Sequence, residues 1–175
     1  MNRLFVILSL CALVACGRAP SSYEFTKEDE ALLDSIQRQT LNYFTVFAEP
    51  NTGLARERDR HQEGNIVTTG GTGFGIMAII AGAERGFLPK EEATERISKI
   101  ANSLDKMERF HGAWAHWYDG DTGEPFSFSK YDDGGDLVET ALLMQGVLTA
   151  RQWTDDQELK ELCDKLWKGV EWDWY

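Results

Sequence analysis

The chain has 175 residues, a formal net charge of −11 at pH 7 and an isoelectric point near 4.7. That balance offers no basic patch, so nucleic acid is excluded as an expected partner. Acidic surface is otherwise ordinary solvated face and points to no partner by itself.

Residues 1–15 read as a secretory signal: Arg3, then an apolar run from Leu4 to Val14 that is too short to span a bilayer. The run ends Leu13-Val14-Ala15-Cys16, which resembles the bacterial lipobox. The resemblance implies cleavage before Cys16, lipidation of that cysteine and a lipid-anchored protein of the bacterial cell envelope, on the outer-membrane or periplasmic side. The alternative is an ordinary signal peptide followed by an incidental cysteine. With Cys11 discarded and Cys16 lipidated, Cys163 has no partner for a disulfide. It shares an apolar stripe with Leu159, Leu162, Leu166, Trp167 and Val170 and reads as core filling.

Residues 16–25 form a short polar tether. Thr26-Lys27-Glu28-Asp29 then resembles a helix start, and Leu32, Leu33, Ile36, Leu41, Phe44 and Phe47 recur at helical spacing, predicting an amphipathic helix over 28–47. A long connection from Ala48 to Gly71 leads to a second helix, 72–83, which carries no charge until Glu84 and is expected to be buried. Pro89 opens a third helix, amphipathic, over 89–108. Another long connection, 109–135, precedes a charge-poor fourth helix over 136–152. An amphipathic fifth helix follows over 156–170, and the sequence closes on Glu171-Trp172-Asp173-Trp174-Tyr175.

Two alternations coincide. Helices run amphipathic, buried, amphipathic, buried, amphipathic, while connections run long, short, long, short. The long loops always precede the buried helices and should gather at one end. The pattern predicts an all-α fold of concentric layers, an incomplete (α/α)6 toroid with about five of its twelve helices. The 109–135 connection is expected to be an aromatic loop or β-hairpin. Residues 26–175 are accordingly read as the N-terminal part of a larger toroid domain, because a closed ring needs roughly twice this length.

The stretch 131–150 concentrates the chemistry. Asp132, Asp136 and Glu139 follow one another at steps of four and three, and the residues after Glu139 are almost wholly apolar. Acidic groups at the mouth of a buried helix must be paired, solvated or used. Asp136 and Glu139 also fit a helix N-cap and its third-position partner, and both readings stay open. Asp132 lies outside the helix and caps nothing obvious.

The 109–135 loop holds Phe110, Trp114, Trp117, Tyr118, Phe126, Phe128 and Tyr131, with His111 and His116 among them. Rings beside carboxylates suit sugars, whose C–H faces stack on them; a self-packed loop core is the alternative. Asp119-Gly-Asp-Thr-Gly matches the start of a calcium loop but lacks the distal Glu, and reads as a tight turn. His61, His111 and His116 lack zinc-ligand spacing, so no metal is expected. Asp132-Asp133-Gly-Gly-Asp136 formally matches a diphosphate-binding D-D-x-x-D motif, which two glycines break.

Ile66-Val-Thr-Thr-Gly-Gly-Thr-Gly-Phe-Gly, Gly112-Ala-Trp-Ala-His-Trp-Tyr, Tyr131-Asp-Asp-Gly-Gly-Asp-Leu-Val-Glu-Thr and Glu171-Trp-Asp-Trp-Tyr stand in this order. Together they resemble the glucoamylase-like domain, and more narrowly glycoside hydrolase family 144, the bacterial β-1,2-glucanases with an (α/α)6 toroid. The resemblance runs from about Glu30 to Tyr175. It implies inverting, metal-free and cofactor-free hydrolysis of β-1,2-linked glucan, with Asp132, Asp136 and Glu139 as acidic residues of the cleft. Trp114, His116, Trp117, Tyr131, Trp172 and Trp174 would line it.

An inverting pair stands about 6.5–9.5 Å apart with a water on one side. Groups one helical turn apart have Cβ atoms only about 5–6 Å from each other. Asp136 and Glu139 are therefore not the complete pair. Glu139 is the favoured proton donor, and its partner is expected beyond Tyr175. A non-catalytic glycan-binding surface lipoprotein is the competing reading, and an inactive fragment is the third.

Overall fold

The structure, a computed structural model, describes residues 24–59, 65–132 and 134–175. The expected signal, Cys16 and most of the tether lie outside the described residues, as do His61 and Asp133. The chain divides into two units, 1–35 and 36–175.

In the first unit, Thr26 and Asp29 cap the start of helix α1 (Lys27–Thr45) reciprocally. The Asp29 N–H donates to Thr26 Oγ1 at 3.1 Å, and the Thr26 N–H donates to Asp29 Oδ2 at 2.9 Å. Leu32 and Leu33 are exposed. Helix α1 continues into the second unit, where Leu41 is its one buried residue and Ile36 is exposed. The inward-facing stripe expected along the whole of α1 is thus confined to its last turns. There Leu41 and Phe44 lie against Gly82 and Gly75.

The rest of the second unit runs β1 (Ile66–Thr68), α2 (Thr69–Glu84), α3 (Lys90–Lys106), β2 (Arg109–Phe110), β3 (Ala113–Trp114), β4 (Trp117–Asp119), α4 (Leu137–Trp153) and α5 (Gln157–Lys168). The two charge-poor helices, α2 and α4, make the most extensive contact of any pair. Each is joined by a short link to an amphipathic partner, α2 to α3 and α4 to α5. Helices α3 and α5 also pack on each other. The result is two helical hairpins side by side, α2 and α4 in one layer, α3 and α5 in the other. These are helices of an α/α toroid. The core between the layers holds Ile76, Ile79, Ile97, Ile100, Leu104, Leu143, Val147, Cys163 and Leu166.

Helix α2 starts at Thr69, three residues before the sequence predicts. Gly70 and Gly71 make that stretch read as loop, yet close packing against α4 requires glycine at 70 and again at 73. A Cβ on Gly70 would strike Glu139 Oε2, and one on Gly73 would strike the α4 backbone at Leu143. The expectation that α2 and α4 are buried all round is corrected. Each buries one side, while Phe74 and Val138 stand exposed on the other. The buried sides face the other helix of the pair and the core between the two layers.

The long connections do gather at one end. β1, which runs directly into α2, pairs antiparallel with β4 of the 107–136 loop, matching Ile66 with Asp119 and Thr68 with Trp117. Tyr118 bridges to Pro125, and the turn between them closes on Gly123 (φ +74°), whose N–H donates to the Asp119 carbonyl at 2.8 Å. Asp119 Oδ1 accepts from the N–H groups of Asp121 and Thr122 at 2.8 and 2.9 Å, so Asp119-Gly-Asp-Thr-Gly is a tight turn. A second hairpin joins β2 and β3 through His111 (φ +47°) and Gly112 (φ +78°), the two positive-φ positions such a turn needs.

Candidate active site

The starts of α2 and α4 lie side by side, and the strand ends hold a histidine between them. Thr69, the first residue of α2, donates its N–H to the His116 carbonyl at 3.0 Å and its hydroxyl to the Ala115 carbonyl at 2.6 Å. On the α4 side, the Asp136 N–H donates to the Trp114 carbonyl at 2.8 Å, and the Trp114 N–H donates to Thr140 Oγ1 at 3.0 Å. The backbone of 114–116 is therefore pinned at both ends.

Asp136 is the N-cap of α4. Its Oδ1 accepts from the Val138 and Glu139 N–H groups at 2.9 and 3.0 Å. Its Oδ2 stands 3.4 Å from His116 Nδ1. Glu139 reaches across to the neighbouring helix, where its Oε2 accepts from the Gly70 N–H at 2.8 Å. That carboxylate satisfies one of the open N–H groups at the start of α2, whose own N-cap, Thr68, makes no side-chain cap. Glu139 Oε1 is 3.7 Å from His116 Nε2. One imidazole thus faces a different carboxylate with each nitrogen, and all three side chains keep partial access to solvent.

The His116 ring lies flat on the Trp117 indole, centroids 3.4 Å apart and planes 9° apart. Trp117 also meets Phe128 at 4.3 Å, and Phe128 meets Phe126 at 5.5 Å. The indole N–H of Trp117 donates to Glu57 Oε2 at 3.0 Å. Glu57 lies within the 48–71 stretch that the sequence marks only as a connection. Neither spacing nor composition singles it out between Arg56 and Arg58.

The remaining predicted residues divide. Asp132 is half-buried on the loop that leads to α4. Its Oδ2 takes a long contact, 3.4 Å, from the Phe128 N–H. Tyr131 is exposed, with the Lys130 ammonium 5.5 Å from its ring. Trp174 stacks on His111 at 3.9 Å and meets Phe110 edge-on, while Glu171 Oε2 contacts His111 Nδ1 at 3.0 Å. Tyr175 donates its hydroxyl to the Phe110 carbonyl at 2.6 Å. A Cβ on Gly135 would come within 2.6 Å of that hydroxyl, so the closing aromatic segment borders the loop that leads to Asp136. Trp172 is exposed beside it.

Trp114 requires a correction. Its side chain is completely buried, its indole N–H donates to the Leu104 carbonyl at 3.1 Å, and the Arg109 guanidinium lies 4.8 Å from its ring. A ring enclosed on every side is a core residue and presents no face to a sugar. Tyr118 is likewise internal. It donates to the Glu108 carbonyl at 2.6 Å and accepts from the Ala115 N–H, and burial pushes its hydroxyl up to about 12. Among the described residues no three His, Cys, Asp or Glu side chains are grouped to hold a metal ion.

Residues 35–137 match the family described as protein of unknown function DUF3131. The chain is 46% identical over 161 residues to the exo-β-1,2-glucooligosaccharide sophorohydrolase (non-reducing end) of Parabacteroides distasonis, covering 89% of this chain and 22% of that protein. Among solved structures, a glucoamylase-like protein of Bacteroides fragilis superposes with a TM-score of 0.79 at 48% identity, over 90% of this chain and 40% of its own. The endo-β-1,2-glucanase of Chitinophaga pinensis, solved with sophorotriose and glucose, gives 0.78 at 43% identity over 83% and 38%. The chain therefore spans about a fifth of the sophorohydrolase and about two fifths of these two structures.

Proposed function

From the premise that this chain belongs to the DUF3131 family, we propose that it carries the acidic half of a site that hydrolyses β-1,2-linked glucan with inversion. The observation that carries this reading is the Asp136–His116–Glu139 group at the joined starts of α2 and α4, in a chain 46% identical to a sophorohydrolase. Glu139 is the proton donor. Its Oε1 is free of the Gly70 contact and faces the side where Asp136, His116 and solvent meet. As the bond from the anomeric carbon to the glycosidic oxygen breaks, the Glu139 proton passes to that oxygen, and a water attacks the anomeric carbon from the opposite face.

The base that takes the proton of that water is a separate carboxylate, which we place outside residues 1–175. Asp136 is supported in a different role, because its Oδ1 is committed to two helix N–H groups. The Trp117–Phe128 rings, Tyr131, Trp172 and Trp174 are assigned to sugar contact, and Asp132 to the rim of the cleft. We further propose that cleavage before Cys16 and lipidation of that residue anchor the protein in the bacterial envelope, on the strength of the Leu13-Val14-Ala15-Cys16 sequence.

The test is hydrolysis of sophorooligosaccharides by the protein with its full native sequence, followed by proton NMR of the first product. An α-anomer is expected from the β-linkage. Glu139→Gln should lower kcat about 10²- to 10⁴-fold, the usual range for losing a general acid. A β-anomer as first product, or full activity in Glu139→Gln, would refute the assignment. For the anchor, a Cys16→Ser protein should leave the membrane fraction; one that stays there argues against lipidation.

A further inference from the structure

We infer that Glu57 is a positioning residue for His116 and acts through the Trp117 indole. The inference rests on the reading of His116, Asp136 and Glu139 as the substrate-facing site. The two contacts of the imidazole nitrogens, 3.4 Å to Asp136 Oδ2 and 3.7 Å to Glu139 Oε1, are too long to fix the plane of the ring. The stack on Trp117 fixes it, at 3.4 Å between centroids and 9° between planes.

A stacked indole can still slide and tilt unless its edge is held. Here the edge is held, because the N–H donates at 3.0 Å to a carboxylate, a charge-assisted bond stronger than one to a neutral acceptor. Glu57 itself is set by backbone pairing. Its N–H donates to the Ile66 carbonyl at 2.9 Å, and Arg56 bridges to Val67 of β1. Order therefore passes from the 55–57 segment through β1 and the Glu57 carboxylate to the indole, and from the indole to the imidazole.

The carboxylate has a second effect. Its charge polarises the indole N–H bond and so stiffens the hold on the edge of the ring. Among the described residues, Asp136 and Glu139 stand on the His116 side of this pair and Glu57 on the Trp117 side. Arg58 Nε stands 3.8 Å from Glu57 Oε1.

Three variants of the full chain separate the steps. Glu57→Ala removes the acceptor, Glu57→Gln keeps an acceptor without charge, and Trp117→Phe keeps a ring without the N–H. Imidazole nitrogen resonances of His116, read by NMR, should shift in Glu57→Ala and in Trp117→Phe, with Glu57→Gln between them and the native protein. In hydrolysis of sophorooligosaccharides, Glu57→Ala should lower kcat about ten- to a hundredfold with KM changed less than about threefold. The Glu57→Ala/Trp117→Phe double variant should be no worse than the poorer single one, as for two links of one chain.

Unmoved His116 resonances in Glu57→Ala overturn the inference whether or not the protein is a hydrolase. Multiplying losses in the double variant also overturn it. Inactivity of the native protein toward these sugars with shifted His116 resonances sinks the glucanase reading and leaves the positioning role standing.

Discussion

Gly73 and Gly146 meet backbone to backbone where α2 crosses α4. A Cβ built on Gly146 would fall 2.8 Å from the Gly73 Cα, and one built on Gly73 would fall 2.6 Å from the Leu143 Cα. Backbone cannot rotate aside as a flexible side chain can, so any Cβ here forces the helices apart.

Gly146→Ala is expected to lower stability by at least about 2 kcal/mol, read as a fall in the urea midpoint at unchanged slope. Gly134→Ala is the control. Its Cβ would meet nothing within 4 Å, and its midpoint should stay within error of the native protein. A Gly146→Ala protein as stable as the native chain would show that the α2–α4 contact is looser than described.

Trp114 belongs to the core, and its substitution should act on stability. Trp114→Phe leaves the Leu104 carbonyl without its donor and removes part of a fully buried ring. A loss of about 1–3 kcal/mol is expected from the orphaned acceptor alone. Sophorooligosaccharide affinity, measured by calorimetry on the folded variant, should not change. Weakened sugar binding at native stability would return Trp114 to the cleft.

Glu49 predicts a dependence on acid. It is 1% exposed, and its Oε2 accepts from the Thr52 hydroxyl at 2.7 Å, the Thr52 N–H at 2.6 Å and the Asn51 N–H at 3.0 Å. Burial opposes its ionisation, but these hydrogen bonds prevail and hold its carboxyl below the ordinary value. A group whose pKa is lower in the folded chain contributes stability above its unfolded pKa and loses it as pH falls through the folded value. The native protein should therefore exceed Glu49→Gln in urea resistance at pH 7, and the gap should narrow below about pH 4.5. A gap independent of pH would show that Glu49 is not ionised in the fold.

Cys163 should resist thiol reagents. It is completely buried, and burial pushes its thiol up to about 11, so almost no thiolate exists at neutral pH. Alkylation by iodoacetamide should be slow in buffer and fast in denaturing urea. Rapid labelling of the native protein would place the residue at an accessible surface.

Much of this arrangement can be read from the residues alone, for identifiable reasons. The absence of charge over 72–83 and the stripes over 89–108 and 156–170 are averages over many positions, and they correctly separate the two layers. The Asp136 cap is legible too, because capping needs a particular residue at one place. What escapes is anything decided by a single long-range approach. Trp114 and Trp117 are equivalent aromatics in a loop until the fold puts one under Leu104 and the other against His116. Glu57 reaches Trp117 across sixty positions of sequence. Gly70 and Gly73 weaken a helix locally, and only the nearness of α4 shows why glycine is needed there.

There is no slack between Thr68, the last residue of β1, and Thr69, the first of α2. One residue inserted at that junction would turn the helix by about 100° against the strand. The Gly70 N–H would swing off the Glu139 carboxylate and the glycine face off its groove, although not one contacting side chain had been replaced. Length at this seam is as strictly specified as any side chain, whereas the tip at Gly123, where an added Cβ would meet nothing within 4 Å, can be lengthened without moving either helix.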